Sequence, residues 1–272
     1  MMNLTGTIGG GGRQGWIAAV VGLAGTTVIW IFASYALFVV TWNIAAGVLD
    51  NPVLLPSAGL TLDAAAQLIS SGILLSDVLA SLKRVVLGFA MAASIAIPLA
   101  MLMAFFSTLR RLTMPIVQLL RPIPPIAWIP LAVLWFGIGD PPSYFITAIA
   151  AFFPIFLNAF EGGISVEKRH IHAAQFLGAG RRAMIMKIIV PSSMPYIWTG
   201  VIVGLGQSWM AVVTAELIAA QSGLGYMIQN SRINLETANV LVGMITIGLL
   251  GSLMVAGLRY LERYVLPWKA TQ

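Results

Sequence analysis

Long apolar runs separated by short polar interruptions dominate the chain. A run needs about 20 residues to cross the hydrocarbon core of a bilayer. Runs of that order cover roughly residues 17–42, 84–106, 114–138, 143–161, 196–220 and 239–261. The interruptions between them are too short for a separate soluble module. The pattern therefore predicts an all-α, polytopic membrane protein with about six transmembrane helices.

Composition supports the membrane assignment. Charged residues make up 9% of the chain and hydrophobic residues 59%, whereas a soluble domain carries about a quarter charged residues. The first apolar run lacks a small-residue cleavage site, so it predicts a retained helix rather than a signal peptide. The chain has no cysteine, which excludes disulfides and thiolate metal ligands.

The net charge of +6 follows membrane topology rather than nucleic-acid binding. With a cytoplasmic N-terminus and six spans, most basic residues fall inside, namely Arg13, Arg110, Arg111, Lys168, Arg169, Arg181, Arg182, Lys187, Arg263 and Lys269. Only Lys83, Arg84 and Arg232 fall outside, as the positive-inside rule expects. Both termini are thus predicted in the cytoplasm. The expected organisation is a flexible N-terminus (1–15), one transmembrane domain (16–265) and a short tail (266–272).

Two segments of the chain, one between spans and one within the third span, carry local structural signals. The outside segment 43–83 contains Thr61 and Ser76, each close to an acidic residue, which predicts one or two short surface helices. The third span contains Leu-Arg-Pro-Ile-Pro-Pro at 120–125. Each interior proline removes a backbone hydrogen bond, at about 3 kcal/mol, and a membrane tolerates this only inside a bundle or beside a wet cavity. We expect a break in a helix that lies inside the bundle near a pathway, or a kink that only shapes packing.

The fifth span contains small and polar residues. Gly200 and Gly204 lie one turn apart, which favours close approach of two backbones at a bundle or dimer contact. In the middle of the span lie Gln207, Ser208, Trp209 and Thr214. These side chains are candidates for contacts with a passing polar group, and hydrogen bonding between helices is the alternative.

Ionisable and aromatic residues within spans are further pathway candidates. Arg121 could attract an anion or extend its head group to the interface. Glu216 would repel an anion, so a structural hydrogen-bonding role or pairing with Arg84 is favoured for it. Trp128 and Trp135 are seven residues apart, on one helical face, and are either gate residues or core and interface aromatics.

The longest basic interruption lies between the fourth and fifth spans. Ala174 and Gly178 are four residues apart, so they share a helical face that offers a shallow surface to a partner. Gly178 lowers helix stability and predicts a turn near 178–180. Pro191 is expected to end a second short helix before the next span. Composition alone would also fit an ordinary basic loop.

The spacing in this interruption resembles the EAA loop of ABC importer permeases. The match begins at His172, Ala173 and Ala174. Gly178 follows after three residues, Ile188 after nine more and Pro191 after a further two. His172 stands where the family has glutamate, and Val190 where it has leucine. We call residues 163–191 the coupling loop, and Arg181 and Arg182 belong to it.

Two longer segments narrow the resemblance. RPIPPIAWIPLAVLWFGIGD (121–140) and GLGQSWMAVVTAELIAAQSGLGYMIQNS (204–231) are similar to the nitrate, sulfonate, bicarbonate and taurine branch of these permeases, and closest to the taurine and alkanesulfonate members. The resemblance implies a type I importer (MetI-like) permease fold in a bacterial inner membrane. It also implies a pathway for a small oxyanion.

The resemblance further implies partners. They are a second copy of the permease, two cytoplasmic ATP-binding subunits, a periplasmic or lipid-anchored substrate-binding protein and membrane lipid, without nucleic acid. ATP and Mg²⁺ would belong to the ATPase, because the chain has no GxxxxGK[ST] motif. The chain itself is expected to bind no cofactor or metal and to catalyse no reaction. The alternative is a self-sufficient channel or secondary transporter.

Overall fold

A computed structural model describes residues 14–166, 173 and 176–268 of the chain. All of the regular elements in these residues are helices, which confirms the all-α prediction. Five helices are long and apolar enough to cross a membrane, and a sixth span results if one sharply bent helix pair is counted as a span. The predicted number of about six is therefore confirmed.

The chain divides into two compact units, one up to Leu60 and one from Thr61 onward. Helix α1 (Gln14–Leu49) makes up most of the first unit. Its C-terminal end is fixed to the following turn, because the indole Nε1 of Trp42 donates to the carbonyl of Pro56 at 2.9 Å. The second unit contains the helices that carry the candidate site.

Those helices follow α1 in chain order. They are α2 (Ala58–Ser70, which begins just before the second unit), α3 (Ile73–Phe105), α4 (Ser107–Leu120), α5 (Ile129–Phe136), α6 (Asp140–Ile164), α7 (Arg181–Met184), α8 (Val190–Ala219), α9 (Leu224–Ile233) and α10 (Thr237–Val265). A 3₁₀ turn, Pro125–Trp128, leads into α5. A π-helical turn, Ile185–Ile189, joins α7 to α8 in one continuous helical run.

Helices α3, α6 and α8 form the core of the second unit, and glycines allow them to pack closely. A Cβ atom on Gly88 of α3 would lie 2.6 Å from the Cβ of Thr147 on α6. On α8, a Cβ atom on Gly200 would lie 3.1 Å from the Cα of Ile155 on α6. A Cβ atom on Gly204 would lie 2.7 Å from the Cγ1 of the same residue. The predicted close approach at these two glycines is confirmed, and its partner is α6 of the same chain.

The segment before the second span is shorter than predicted. Helix α3 already begins at Ile73, after Gly72 with φ of 76°. Of the one or two short helices expected in this segment, α2 contains Thr61. A separate helix at Ser76 is wrong, because the apolar residues from Ile73 onward continue directly into the span. Lys83 and Arg84, assigned above to the outside segment, lie three turns into α3.

The third predicted span is broken rather than kinked. Helix α4 ends at Leu120, and the 3₁₀ turn with α5 leaves it at an angle of 92°. The break falls at Pro122, Pro124 and Pro125. Prolines in such close succession remove neighbouring backbone donors and add ring clashes, so that the helix ends instead of bending.

Pro191 does not end a helix, contrary to the prediction. It lies in the first turn of α8, within the continuous run that starts at Arg181. The π-helical turn before it has a wider backbone, with the N–H of Val190 donating to the carbonyl of Ile185 five residues back. In this wider turn the ring of Pro191 avoids the clash that a proline makes with the preceding turn of a regular α-helix.

Candidate functional site

A buried guanidinium links three helices of the core. Arg84 of α3 is 2% exposed. Its Nε and Nη2 donate to Asp140 Oδ1, at the start of α6, at 2.9 and 2.6 Å. Its Nη1 donates to Glu216 Oε1, near the end of α8, at 2.7 Å. Charge-assisted bonds of this kind are roughly twice as strong as neutral ones, so this one side chain of α3 holds the start of α6 and the end of α8 against it.

The turn between α8 and α9 is held by the same group of side chains. The backbone N–H of Gly223 donates to Asp77 Oδ1 at 2.7 Å, and that of Leu224 to Ser81 Oγ at 2.9 Å. The next N–H, of Gly225, donates to Glu216 Oε2 at 2.9 Å. We call Asp77, Ser81, Arg84, Asp140, Glu216 and the turn 222–225 the Arg84 cluster.

Gly223 cannot be replaced freely in this turn. Its φ is 104°, a conformation that residues with a Cβ rarely adopt. A Cβ at this position would also lie 2.5 Å from Glu216 Oε1 and 2.6 Å from Arg84 Nη1. The glycine is therefore required both by the backbone and by the space that the ion pair occupies.

Arg84 has no donor left for a transported anion. A guanidinium carries five N–H donors, and besides the bonds to carboxylates, Nη1 donates to the Ser222 carbonyl at 2.6 Å and Nη2 to Ser222 Oγ at 2.8 Å. Glu216 accepts from Ser81 at 2.8 and 2.9 Å as well. The cluster is thus a saturated structural network, and the predicted pairing of Glu216 with Arg84 is confirmed.

The sequence signal for this cluster was the polar spacing on α3. Asp77, Ser81 and Arg84 are at i, i+4 and i+7, which places them on one face of a helix. Sequence reasoning missed this face because it assigned these residues to a loop and a surface helix. Among the described residues, no group of His, Asp or Glu side chains is arranged to hold a metal ion.

The other pathway candidates lie in two places. Arg121 follows the last turn of α4 and is exposed, and its side chain forms no hydrogen bond or ion pair with the described part of the chain. Trp128 ends the 3₁₀ turn beside it and contacts Phe145 of α6 edge-on, with ring centroids 6.4 Å apart. Trp135 contacts the same ring at 5.8 Å. The shared face predicted for the two tryptophans is confirmed.

The remaining candidates are on α8. Gln207 is exposed, while Ser208 is buried and donates to the carbonyl of Gly204 at 2.9 Å. Thr214 donates to Met210 in the same way at 2.8 Å. Both hydroxyls thus bond within α8 and not to another helix. Trp209 is 4% exposed and, with Thr214, lines a groove of about 530 Å³ between α8 and α10.

The coupling loop presents apolar side chains to solvent. Phe176 is 92% exposed and Leu177 is 88% exposed. Gly178 follows with φ of 74°, which confirms the predicted turn. Ile188 lies half-buried in the π-helical turn. Two adjacent exposed apolar side chains beside a tight turn form a surface that a partner could cover.

Some predicted coupling residues cannot be placed in this geometry. His172 and Ala174 lie outside the described residues. Ala173 is exposed, and its carbonyl accepts from the N–H of Leu177 at 3.1 Å. Arg181 and Arg182 begin α7, and their backbone alone is described. The roles of these residues in coupling stay predictions.

The long apolar helices and the broken third span define an integral membrane protein. The family model for binding-protein-dependent transport system inner membrane components matches residues 96–269. The chain belongs to this family. The resemblance proposed from the coupling loop is therefore confirmed, and the protein is a multi-pass inner-membrane protein.

Curated relatives support the branch as well. The chain is 40% identical over 86% of its length to a putative ABC transporter permease of Methanocaldococcus jannaschii, covering 90% of that protein. It is 38% identical over 85% of its length to the taurine transport system permease protein of Escherichia coli, covering 86% of it. A nitrate import permease of Synechocystis is 32% identical over 70% of each chain.

A solved structure shares the fold. The chain superposes on the MetNI methionine ABC transporter in an inward-facing conformation with a TM-score of 0.54, over 70% of this chain and 97% of that one. The identity is 17%, so the comparison supports the fold alone. It confirms the predicted MetI-like type I importer fold.

Proposed function

We propose that this permease forms the translocation pathway for a small oxyanion of the taurine, alkanesulfonate or nitrate class. The names of its relatives support the class, since they include taurine, aliphatic sulfonate and nitrate permeases. Two copies would form the pore, each with one cytoplasmic ATPase subunit, and a substrate-binding protein would deliver the ligand. ATP and Mg²⁺ would bind to the ATPase.

The observation that carries the coupling role is the exposed turn Phe176–Gly178. Phe176 and Leu177 leave a large apolar area in water, at roughly 25 cal/mol per Å² of unfavourable exposure that a partner's groove would remove. The left-handed Gly178 turns the chain directly after these two residues. The positive charge of the loop favours the cytoplasmic side, where the ATPase would bind.

The helical run after this turn provides a stiff connection to the opposite end of the bundle. It extends from Arg181 to Ala219, a length of about 55–60 Å at 1.5 Å per residue. Gly200 and Gly204 pack it closely against α6, and Glu216 fixes its far end in the Arg84 cluster. A movement of the coupling loop would therefore displace α8 and α6 together.

Within this arrangement the broken span is the favoured site of gating. Arg121 and Trp128 lie at a 92° break whose freed carbonyls need a wet or protein-lined surrounding. Arg121 carries an unpaired positive charge in the described part of the chain, which suits an anionic ligand. Gln207, Trp209 and Thr214 would line the pathway along α8, and Ser208 and Glu216 would support the same helix.

A pair of glycine variants tests the coupling role. Gly178→Val places a β-branched residue at φ of 74°, which costs roughly 1–2 kcal/mol for a residue with a Cβ. We expect it to lower substrate uptake about ten-fold while the ATPase activity of the partner persists. Gly180→Val is the matched control, since a Cβ there meets no atom within 4 Å and its φ is not positive. The measurement is uptake and ATPase activity in proteoliposomes.

Two outcomes would contradict the proposal. Unchanged uptake and unchanged substrate-stimulated ATPase activity in Gly178→Val would exclude the turn as the coupling element. Uptake that persists with a catalytically inactive ATPase would instead favour a self-sufficient channel or secondary transporter.

A further inference from the structure

A groove with basic side chains lies at the C-terminal end of α10, where α10 packs beside α8. Its volume is about 580 Å³. One wall is formed by Thr199, Ile202 and Val203 of α8, and the other by Arg259, Glu262 and Arg263 of α10. The groove therefore combines an apolar wall with charged groups, the composition expected for an amphipathic ligand.

The two arginines face the groove from successive turns of α10. Residues four apart have Cβ atoms about 6 Å from each other, so both guanidinium groups can reach one phosphate between them. The guanidinium groups of Arg259 and Arg263 donate to no acceptor in the part of the chain that the structure describes. With Glu262 included, the lining side chains carry two positive charges and one negative charge, so positive groups predominate in the lining and favour an anion.

The position of the groove along α10 fits the level of the lipid head groups when the middle of the helix is placed at the bilayer centre. The middle of α10 is Gly251; at 1.5 Å per residue, Arg259 lies about 12 Å and Arg263 about 18 Å from it along the helix. The hydrocarbon half-thickness is about 15 Å. Tyr260 and Tyr264, exposed at 57% and 68%, lie at the same level, as interfacial aromatic residues do.

The surroundings of the groove point to lipid as the occupant. Only 11% of the apolar stretch of α10 is buried, so this helix lies at the edge of the described bundle. Val203, on the apolar wall, is 44% exposed and is continuous with that edge. An acyl chain could lie along Ile202 and Val203 while its phosphate remains between the arginines.

We propose that the groove binds an anionic phospholipid, with the phosphate between Arg259 and Arg263 and one acyl chain against Ile202 and Val203. Basic pockets between transmembrane helices on the cytoplasmic side bind such head groups. The leaflet follows from the orientation proposed above, whereas the binding itself does not depend on the transport function.

Native mass spectrometry of the full-length protein in mild detergent tests the proposal, with titration of dioleoylphosphatidylglycerol or dioleoylphosphatidylcholine. We expect the anionic lipid to bind more tightly. Arg259→Gln with Arg263→Gln should weaken its binding about 30-fold, at roughly five-fold per basic residue. The matched control is Arg110→Gln with Arg111→Gln on α4, which removes the same charge outside the groove and should change binding less than about two-fold.

A third variant separates the groove from surface charge and remains informative if the double variant fails to fold. Val203→Trp keeps both arginines and fills the apolar wall, so it should also weaken binding of the anionic lipid. Equal affinity for the two lipids, equal loss in both double variants or full retention in Val203→Trp would each overturn the proposal. Displacement of the lipid by inorganic phosphate would also overturn the proposal, because it would indicate a free-anion site. Loss of the ATPase subunit from the arginine double variant, with lipid binding intact, would overturn it as well.

Discussion

Removing the guanidinium of Arg84 provides the sharpest test of how the bundle is held together. Arg84→Met keeps a long apolar side chain but deletes five hydrogen bonds, three of them to carboxylates. The side chain of Glu216, 0% exposed, would then keep a negative charge without its partner. Breaking a buried ion pair from one side costs about 3–5 kcal/mol, because the remaining charge stays buried.

The neighbouring residue provides the control. Lys83 also pairs with Asp140, at 3.6 Å, but its side chain is 61% exposed. An exposed pair is worth about 0–1 kcal/mol, so Lys83→Met should change stability little. A second variant, Arg84→Met with Glu216→Gln, removes the uncompensated charge and should recover part of the loss, because the energies of contacting residues are not additive.

Thermal unfolding in detergent, followed by tryptophan fluorescence, measures the effect. At about 2–4 °C per kcal/mol for a chain of this size, Arg84→Met should lower Tm by roughly 6–20 °C, and Lys83→Met by less than about 4 °C. Equal Tm values for the two single variants would refute the argument that the Arg84 cluster holds α3, α6 and α8 together. No recovery in the double variant would show that the buried charge of Glu216 is not the cause of the loss.

Two further variants test particular contacts. Gly223→Ala should destabilise the protein more than Gly72→Ala. Both glycines have a positive φ, but only at Gly223 would the Cβ meet side-chain atoms, at 2.5 Å. Equal Tm values for the two variants would contradict the steric part of the argument. The buried Nε1 of Trp209 has no hydrogen-bond partner among the described residues, and its ring packs on Gly251. Because removing such a donor costs little, Trp209→Phe should leave uptake within about two-fold of the parent if the ring only packs. A large loss of uptake with unchanged Tm would instead indicate that Nε1 donates to the transported anion.

The turn at Gly178 in the coupling loop could be predicted from sequence because its signal is local. Glycine has the largest freedom at positive φ, and Gly178 does adopt φ of 74°. The exposure of Phe176 and Leu177, in contrast, could not be inferred. Apolar residues beside a membrane span are as easily buried as exposed, and only the path of the chain around Gly178 decides which occurs.

The helical bundle likewise has features that local sequence predicts and features that only the packing of the helices decides. Apolar run length determined the helical class and the number of spans, because a bilayer accepts only chain segments whose backbone bonds are satisfied internally. The small residues Gly200 and Gly204 also determined a close helix contact, since any Cβ there would prevent it. Local sequence could not tell that the partner helix would be α6, or that the prolines after Arg121 would turn the chain by 92°.

The Arg84 cluster was decided by tertiary structure. The spacing of Asp77, Ser81 and Arg84 placed them on one helical face, but their partners are Asp140, Glu216 and a turn far along the chain. Whether a charge in an apolar helix faces solvent, lipid or an opposite charge depends on which helices pack beside it. Sequence by itself thus specified the helices and their membrane setting, while the packing of α3, α6 and α8 decided which charges neutralise one another, because Coulomb energies depend on distance and burial rather than on position in the chain.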